Sequence, residues 1–384
     1  MHSLLGLDPA SFLRHHWQRR PLLLRGAWPG FTPPFHPRDI LRLASDERSA
    51  PRRVWQTRNN WQVEHGPFSA AALRRPPAAR WTVLVPDVDK LFPAAAPLLD
   101  HFGFLPGWRQ DDLMVSYAVD GGSVGPHVDE YDVFLLQGHG RRRWSIQTRG
   151  VQPEELRAGT GLKILRCFRA EQSWVLEPGD LLYLPPGVAH HGVAAGECTT
   201  LSFGFRAPNP LELAVAWGEE CQRRAEVGPR YRDQLVRPSA PGLLDTGTRQ
   251  ELLRMTTRGL AAAREERERW LGRFLTEPGL HSPDPPARRL TQASLSKALA
   301  RPGAALRRHP AVRALWFERQ GTVWLYVDGA EYRLPRRWLG LVRALCLPGL
   351  IPASSLAAAF SSPLANDIIN WFNNGTYLIV KQNN

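Results

Sequence analysis

Cysteine is scarce: the 384-residue chain has four (Cys167, Cys198, Cys221 and Cys346), and none lies in a CxxC pair. Such wide spacing offers neither a disulfide framework nor a cysteine-rich zinc site, and reduced thiols in a cytoplasm are the simplest expectation. Lysine is equally short, since only Lys90, Lys163, Lys297 and Lys381 contribute to the 49 basic residues. No run approaches the roughly 18–20 apolar residues of a membrane span. The opening, MHSLLGLDPASFLRHHWQRR, has no long apolar segment after a basic one and no small-residue cleavage site, so it does not read as a signal peptide. No membrane association is expected, and the expected location is cytoplasmic.

What is present is a chain able to build cores, with 43% hydrophobic and 22% charged residues. At roughly 150 residues per domain its length suggests two or three domains. Gly (32) and Pro (34) are frequent, which favours turn-rich, strand-rich architecture. The net charge of +13, carried almost wholly by Arg, attracts polyanions, and RNA or ribosomal surroundings are the usual partners. A solvated, Arg-rich surface written by a GC-rich genome explains the charge equally well, because no aromatic-basic RNA motif accompanies it.

Four short alternating runs bounded by Gly or Pro read as strands of a sandwich or barrel: 113–119, 131–136, 143–146 and 180–184. Helices are expected at 10–17 and 37–44. After Arg206-Ala-Pro-Asn-Pro210 the texture changes, with apolar residues at helical spacing over 211–225 and 250–274. Such helices cannot hide their apolar faces alone and should pack on a neighbour, a second copy of the chain being one choice. The Pro-rich joint Ser282-Pro-Asp-Pro-Pro286 opens a last segment of helices. In it a hairpin, 322–327 and 330–334, turns on Asp328-Gly329, and a helix (366–372) and a strand (377–380) follow. This layout suggests a winged helix, for which a structural or protein-contact role is preferred and nucleic-acid contact stays open.

The chemistry lies in Gly121-Gly-Ser-Val-Gly-Pro-His127-Val-Asp129. Side chains alternate across extended backbone, so His127 and Asp129 share a face and can each give a lone pair to one metal ion. A third ligand comes from Gly179-Asp-Leu-Leu-Tyr-Leu-Pro-Pro-Gly187-Val-Ala-His190. Gly, five residues, Pro-x-Gly, two residues, His resembles the second motif of the cupin superfamily, in which that His binds metal. Two departures, Asp129 with no later matching Glu and Ala194 where Asn is frequent, point to three ligands and not four. Two His and one carboxylate form the facial triad of non-haem Fe(II) oxygenases, which leaves positions for a chelating keto acid and dioxygen. His191 competes for the third position, but the spacing selects His190 and alternation turns His191 away. His139, between two glycines, reads as a turn residue.

A keto-acid cosubstrate needs a cation in the barrel for its distal carboxylate, and the planar fork of Arg suits it. In Arg141-Arg-Arg-Trp144, expected to pair with the strand of the His-x-Asp motif, Arg142 and Trp144 share one face. An inward Arg is costly unless it meets an anion, so Arg142 is selected, with a solvated basic run as the alternative. Ser116 could give its hydroxyl to the same carboxylate or serve packing alone.

Residues 115–144, together with 177–187, 203–209 and the early segment 12–26, resemble the JmjC-domain ribosomal oxygenases. The resemblance is to the bacterial type that hydroxylates an arginine of protein sixteen of the large ribosomal subunit. It implies an α+β chain: a double-stranded β-helix (cupin/JmjC) catalytic domain over 1–207, a helical dimerisation domain over 208–280 and a winged helix over 281–384. It also implies Fe(II) held by His127, Asp129 and His190, 2-oxoglutarate held by Ser116 and Arg142, dioxygen as cosubstrate, and a homodimer. Asp120 falls at an acidic position near the substrate pocket of bacterial members, and a turn-forming Asp beside Gly121 explains it equally well. The rivals are the same chemistry on a histidine or a non-ribosomal protein, and a nucleic-acid-binding or assembly protein with a vestigial cupin.

Overall fold

The computed structural model describes residues 6–58, 60–76, 79–157, 162–224, 230–232, 244–261, 264–356 and 359–381. Its first part carries helices α1 (Pro9–His15), α2 (Pro37–Leu43), α3 (Ala70–Arg74) and α4 (Val88–Leu91). Nine strands accompany them: β1 (Leu22–Leu24), β2 (Arg52–Thr57), β3 (Asn60–His65), β4 (Trp81–Val85), β5 (Gln110–Ala118), β6 (Asp132–Gln147), β7 (Gln172–Leu176), β8 (Leu181–Leu184) and β9 (Ala189–Phe205). They pair in the order β1-β8-β6-β9-β5-β4-β2-β3, with β7 on the other half of β6.

The two long strands, β6 and β9, pair antiparallel along their whole length and wrap the sheet into the double-stranded β-helix expected from the sequence. Runs 131–136 and 143–146, expected as separate strands, are therefore two halves of one. The first half of β6 pairs β8 and the second pairs β7. Between them lies a bulge at Gln137–Arg141, and its effect is to switch parity. Before it Val133 and Leu135 face inward; after it Arg142, Trp144 and Ile146 do, while Phe134 and Leu136 pack outward on the core beneath α1 and α2. Glycine makes the bulge. Gly140 has φ +59°, and a Cβ there would sit 2.0 Å from the Glu197 carbonyl oxygen. His139, expected in a turn, thus lies in a strand bulge.

The outer core is aromatic: the Phe102 ring lies 4.8 Å from Phe134 and 4.6 Å from Phe203, and Phe12 lies 4.9 Å from Tyr183. A buried network anchors the chain just past α1 to the barrel. Asp132 accepts from Arg109 (2.8 Å) and from the Tyr183 hydroxyl (2.5 Å), and that hydroxyl accepts from the Gln18 backbone N–H (2.7 Å).

Helices α5 (Pro210–Arg224), α6 (Thr246–Gly259) and α7 (Arg264–Leu275) follow. Of the two or three helices expected here, three form: the run 250–274 is divided where α6 ends at Gly259, a residue that costs about 1 kcal/mol in a helix interior. The expected end of α5 at Ala225 lies outside the described residues. Trp217 and Trp270 pack α5 on α7 (5.1 Å), while Leu211, Leu252, Leu253 and Leu260 stay exposed.

The last part has α8 (Gln292–Leu299), β10 (Ala304–Arg308), β11 (Ala314–Arg319), β12 (Thr322–Val327), β13 (Ala330–Pro335), α9 (Leu339–Leu345), β14 (Leu350–Pro352), α10 (Ala365–Asn373) and β15 (Tyr377–Lys381). The hairpin turns on Asp328 (φ 52°) and Gly329 (φ 76°), as the sequence predicted. Ion pairs Asp100–Arg307 and Asp111–Arg313 and a hydrogen bond between His281 Nε2 and Asp87 (3.1 Å) join this unit to the barrel. Among the described residues no helix is long and apolar enough to cross a membrane.

Because Gly140 sets the parity that turns Arg142 inward, Gly140→Ala is expected to cost about 3 kcal/mol, from left-handed backbone and overpacking together. Urea unfolding measures it. A loss below about 0.5 kcal/mol would mean that the bulge adjusts to a side chain.

Candidate metal and cosubstrate site

His127 is not on a regular strand. It forms an isolated antiparallel bridge with His190, the second residue of β9, through reciprocal backbone bonds: His127 N–H to His190 O, 3.0 Å, and His190 N–H to His127 O, 2.9 Å. The His-x-Asp segment therefore pairs with β9, not with the Arg142 strand as expected from the sequence. Arg142 lies on the opposite flank of β9, across from Ala194. On the segment's other side Leu165 N–H donates to Pro126 O (2.8 Å), and past the motif Gly187 N–H donates to Asp129 O (2.8 Å). Extended backbone held at this many points keeps the two-residue alternation that puts His127 and Asp129 on one face.

Directly opposed residues bring their side chains together, and the two imidazole rings lie 4.2 Å apart. The Asp129 carboxylate is 4.0 Å from His127 Nε2 and 3.6 Å from His190 Nε2. All three ligand atoms fall within 4.8 Å of one another. The tautomers follow from the neighbours: His127 Nδ1 lies 2.9 Å from Gly125 O and His190 Nδ1 3.0 Å from Val188 O. A carbonyl only accepts, so each Nδ1 carries the proton and each Nε2 presents a lone pair. Burial, followed by the repulsion a second proton would meet from the neighbouring His127 imidazole, lowers the His190 pKa to about 4, so the imidazole is neutral near pH 7 and ready to ligate.

Deeper in the barrel Arg142 is 5% exposed, with Arg141 and Arg143 outside as alternation requires. Its Nη1 donates to Ser116 Oγ (3.2 Å), so the structure brings these two predicted residues together. Nε and Nη2 are buried with no hydrogen-bond partner, and no carboxylate pairs with Arg142 among the described residues. A buried guanidinium left this way is costly, by several kcal/mol in general, unless an anion completes it. The residues present fit a dicarboxylate with one end on Arg142 and Ser116 and the other toward the His-Asp-His cluster.

Asp120 stands exposed after β5, where its carboxylate accepts from Gly196 N–H (2.7 Å). His191 is partly buried, with its ring 5.9 Å from Phe168; burial lowers its pKa to about 4. Two inward polar residues escaped the sequence reading. Thr200, opposite Ser116, donates from Oγ1 to Gln137 Oε1 (3.1 Å), and the Gln137 amide donates to His139 O (2.9 Å). The available signal was alternation in Thr199-Thr-Leu-Ser-Phe203, which places Thr200 and Ser202 on the inner face. An open cleft of about 750 Å³ leads away from His127 and Asp129, bordered by Tyr131, Arg206, Phe274 and Arg313.

The family profile described as a JmjC domain matches residues 97–213, and that of a ROXA-like winged helix matches residues 256–377. The chain is 36% identical, over 290 residues, to the "Ribosomal protein uL16 3-hydroxylase" of Escherichia coli, an alignment covering 74% of this chain and 77% of that protein. The X-ray structure of E. coli YcfD superposes with a TM-score of 0.83 at 32% identity, covering 98% of this chain and 99% of that one. YcfD, described as a ribosomal oxygenase from Escherichia coli, in complex with cobalt and 2-oxoglutarate gives a TM-score of 0.80 over the same shares, also at 32% identity. With a relative this similar over three quarters of its length, the chain belongs to the JmjC-domain ribosomal oxygenases, 2-oxoglutarate-dependent hydroxylases that bind a metal ion.

Proposed function

We propose that this chain is an Fe(II)- and 2-oxoglutarate-dependent protein hydroxylase whose substrate is an arginine side chain of a large-subunit ribosomal protein. One observation carries the reading: a three-ligand cluster with both Nε2 lone pairs free shares its barrel with a buried guanidinium that lacks an anion. A vestigial cupin would have no reason to keep that charge buried. The ribosomal substrate is supported by the name of the E. coli relative, and arginine by the resemblance of residues 115–144 to bacterial members.

In this reading His127, Asp129 and His190 would hold iron as its protein ligands. Iron bound there, with 2-oxoglutarate and dioxygen, supplies the oxidising chemistry that places a hydroxyl on an unactivated carbon, which no side chain can do. The protein's own work is positional. Arg142 and Ser116 fix the far carboxylate of the cosubstrate, so its keto-acid end meets the metal in one orientation. Val188 O and Gly125 O hold the imidazoles in the ligating tautomer. The cleft past Tyr131 and Arg206 admits an extended peptide; Asp120 does not line it and is a candidate for pairing with the substrate guanidinium through the resemblance alone.

The same reading divides the chain at about 207 and 280 and makes residues 208–280 a dimerisation unit in a cytoplasmic enzyme. Its support is the apolar surface left on α5 and α6: Leu211 is 72% exposed and Leu253 69%. Exposed leucines on consecutive helices of one unit suit a face covered by a second copy of the chain.

Anaerobic addition of Fe(II) and 2-oxoglutarate is expected to produce a visible charge-transfer band. His127→Ala is expected to abolish it and to weaken metal binding by about 100-fold or more; an unchanged band would contradict the assignment. Incubation with large-subunit ribosomal proteins, read by tandem mass spectrometry, is expected to add the mass of one oxygen atom to an arginine. Addition at a histidine, or on a non-ribosomal protein only, would contradict the substrate assignment. Light scattering of Leu253→Glu is expected to give half the wild-type mass, and an unchanged mass would remove this face from the interface.

A further inference from the structure

Arg142 is not the only buried donor in the barrel without an acceptor. Trp144 is 3% exposed, and its indole Nε1–H has no partner among the described residues. Register places Arg142, Trp144 and Ile146 of β6 opposite Ala194, Gly192 and His190 of β9. Trp144 therefore occupies the step between the carboxylate anchor and the metal ligand. Its ring centroid lies 5.8 Å from that of His190, and the Arg142 guanidinium lies 5.7 Å from the same ring.

The ring reaches this place because the residue across from it has no side chain. A Cβ on Gly192 would meet Trp144 Cη2 and Cζ3 at 2.7 Å and Cε3 at 2.9 Å. Gly192 has no left-handed backbone to explain it, so its role is the room it leaves. Those three atoms form the edge of the indole remote from nitrogen. With that edge against Gly192, the N–H edge turns away from β9. Three unmet donors, Arg142 Nε, Arg142 Nη2 and Trp144 Nε1, thus belong to neighbouring inward residues of one strand. Buried donors are left unmet at about 1–3 kcal/mol each, and an apolar replacement of the same shape removes that penalty. The indole N–H groups of Trp324 and Trp338 are also buried without a partner among the described residues. What sets Trp144 apart is its place beside two unmet nitrogens of Arg142, where one acceptor brought by a ligand would serve all three donors.

The geometry points to Trp144 as a third protein donor to the cosubstrate: its indole N–H donates to the distal carboxylate that Arg142 and Ser116 hold, and Gly192 is the clearance that lets the ring lie there. Trp144 is then a specificity residue, selecting 2-oxo acids with a second carboxylate over those without one. The inference rests on the proposed role of Arg142 and adds to it a residue whose failure can be read separately.

The test uses full-length protein loaded with Co(II) without oxygen, titrated with 2-oxoglutarate and with 2-oxobutyrate, which lacks the distal carboxylate. Trp144→Phe keeps a ring and removes the donor. It is expected to raise the Kd for 2-oxoglutarate about tenfold, the size of one charge-assisted hydrogen bond. The Kd for 2-oxobutyrate and the Co(II) affinity are expected to stay unchanged. An unchanged Kd for 2-oxoglutarate, or an equal loss for both acids, would overturn the inference while leaving the Arg142 assignment standing. Arg142→Met with undiminished 2-oxoglutarate affinity would overturn both. A measurement that needs no variant uses wild-type protein carrying 15N-labelled tryptophan and Zn(II). One indole N–H is expected to move downfield on adding 2-oxoglutarate and to stay in place with 2-oxobutyrate; no such resonance would overturn the inference.

Discussion

Two backbone hydrogen bonds between His127 and His190 hold the site together. They join a loop-borne segment to the start of β9, residues far apart in sequence, and force their side chains onto one face with rings 4.2 Å apart. The local devices around them serve this bridge. Gly125 turns the chain before His127 and gives its carbonyl to the imidazole; Gly187 turns it before His190 and ties down Asp129. A metal site needs lone pairs converging on a point, and in this barrel backbone pairing supplies the convergence before any ion arrives.

The other end of the site is set by electrostatics. A guanidinium buried with two nitrogens unmet among the described residues is costly in isolation, and an anion beside it would offset that cost. The bulge at Gln137–Arg141 makes this possible, since without the change of parity Arg142 would point to the outer core with Phe134 and Leu136. The His-Asp-His cluster and the buried guanidinium are thus fixed on the two flanks of β9, one by the bridge and the other by the register with β6.

Much of this was legible in the sequence because it is local. The spacing of His127, Asp129 and His190 carries the ligand set, and two-residue alternation within 141–144 correctly separates Arg142 from its neighbours. Asp328-Gly329 carries its hairpin through the left-handed backbone those residues tolerate. What alternation cannot carry is pairing. The partner of the His-x-Asp segment, the fusion of two short runs into the 16-residue β6, and the parity switch at Gly138-His-Gly140 all depend on contacts made across the sheet. Thr200 and Gln137 were missed for the same reason, being ordinary polar residues until the barrel closes on them. The helical run 250–274 left open two or three helices in all, because its apolar spacing continues past Gly259, where the backbone does not.

The most direct measurement of the account is a crystal of this protein grown without oxygen with Co(II) and 2-oxoglutarate, with anomalous diffraction collected at the metal edge. The expected result is one ion bonded to His127 Nε2, Asp129 and His190 Nε2, with the far carboxylate of the cosubstrate on Arg142. An ion bound elsewhere, or 2-oxoglutarate lying away from Arg142, would contradict it.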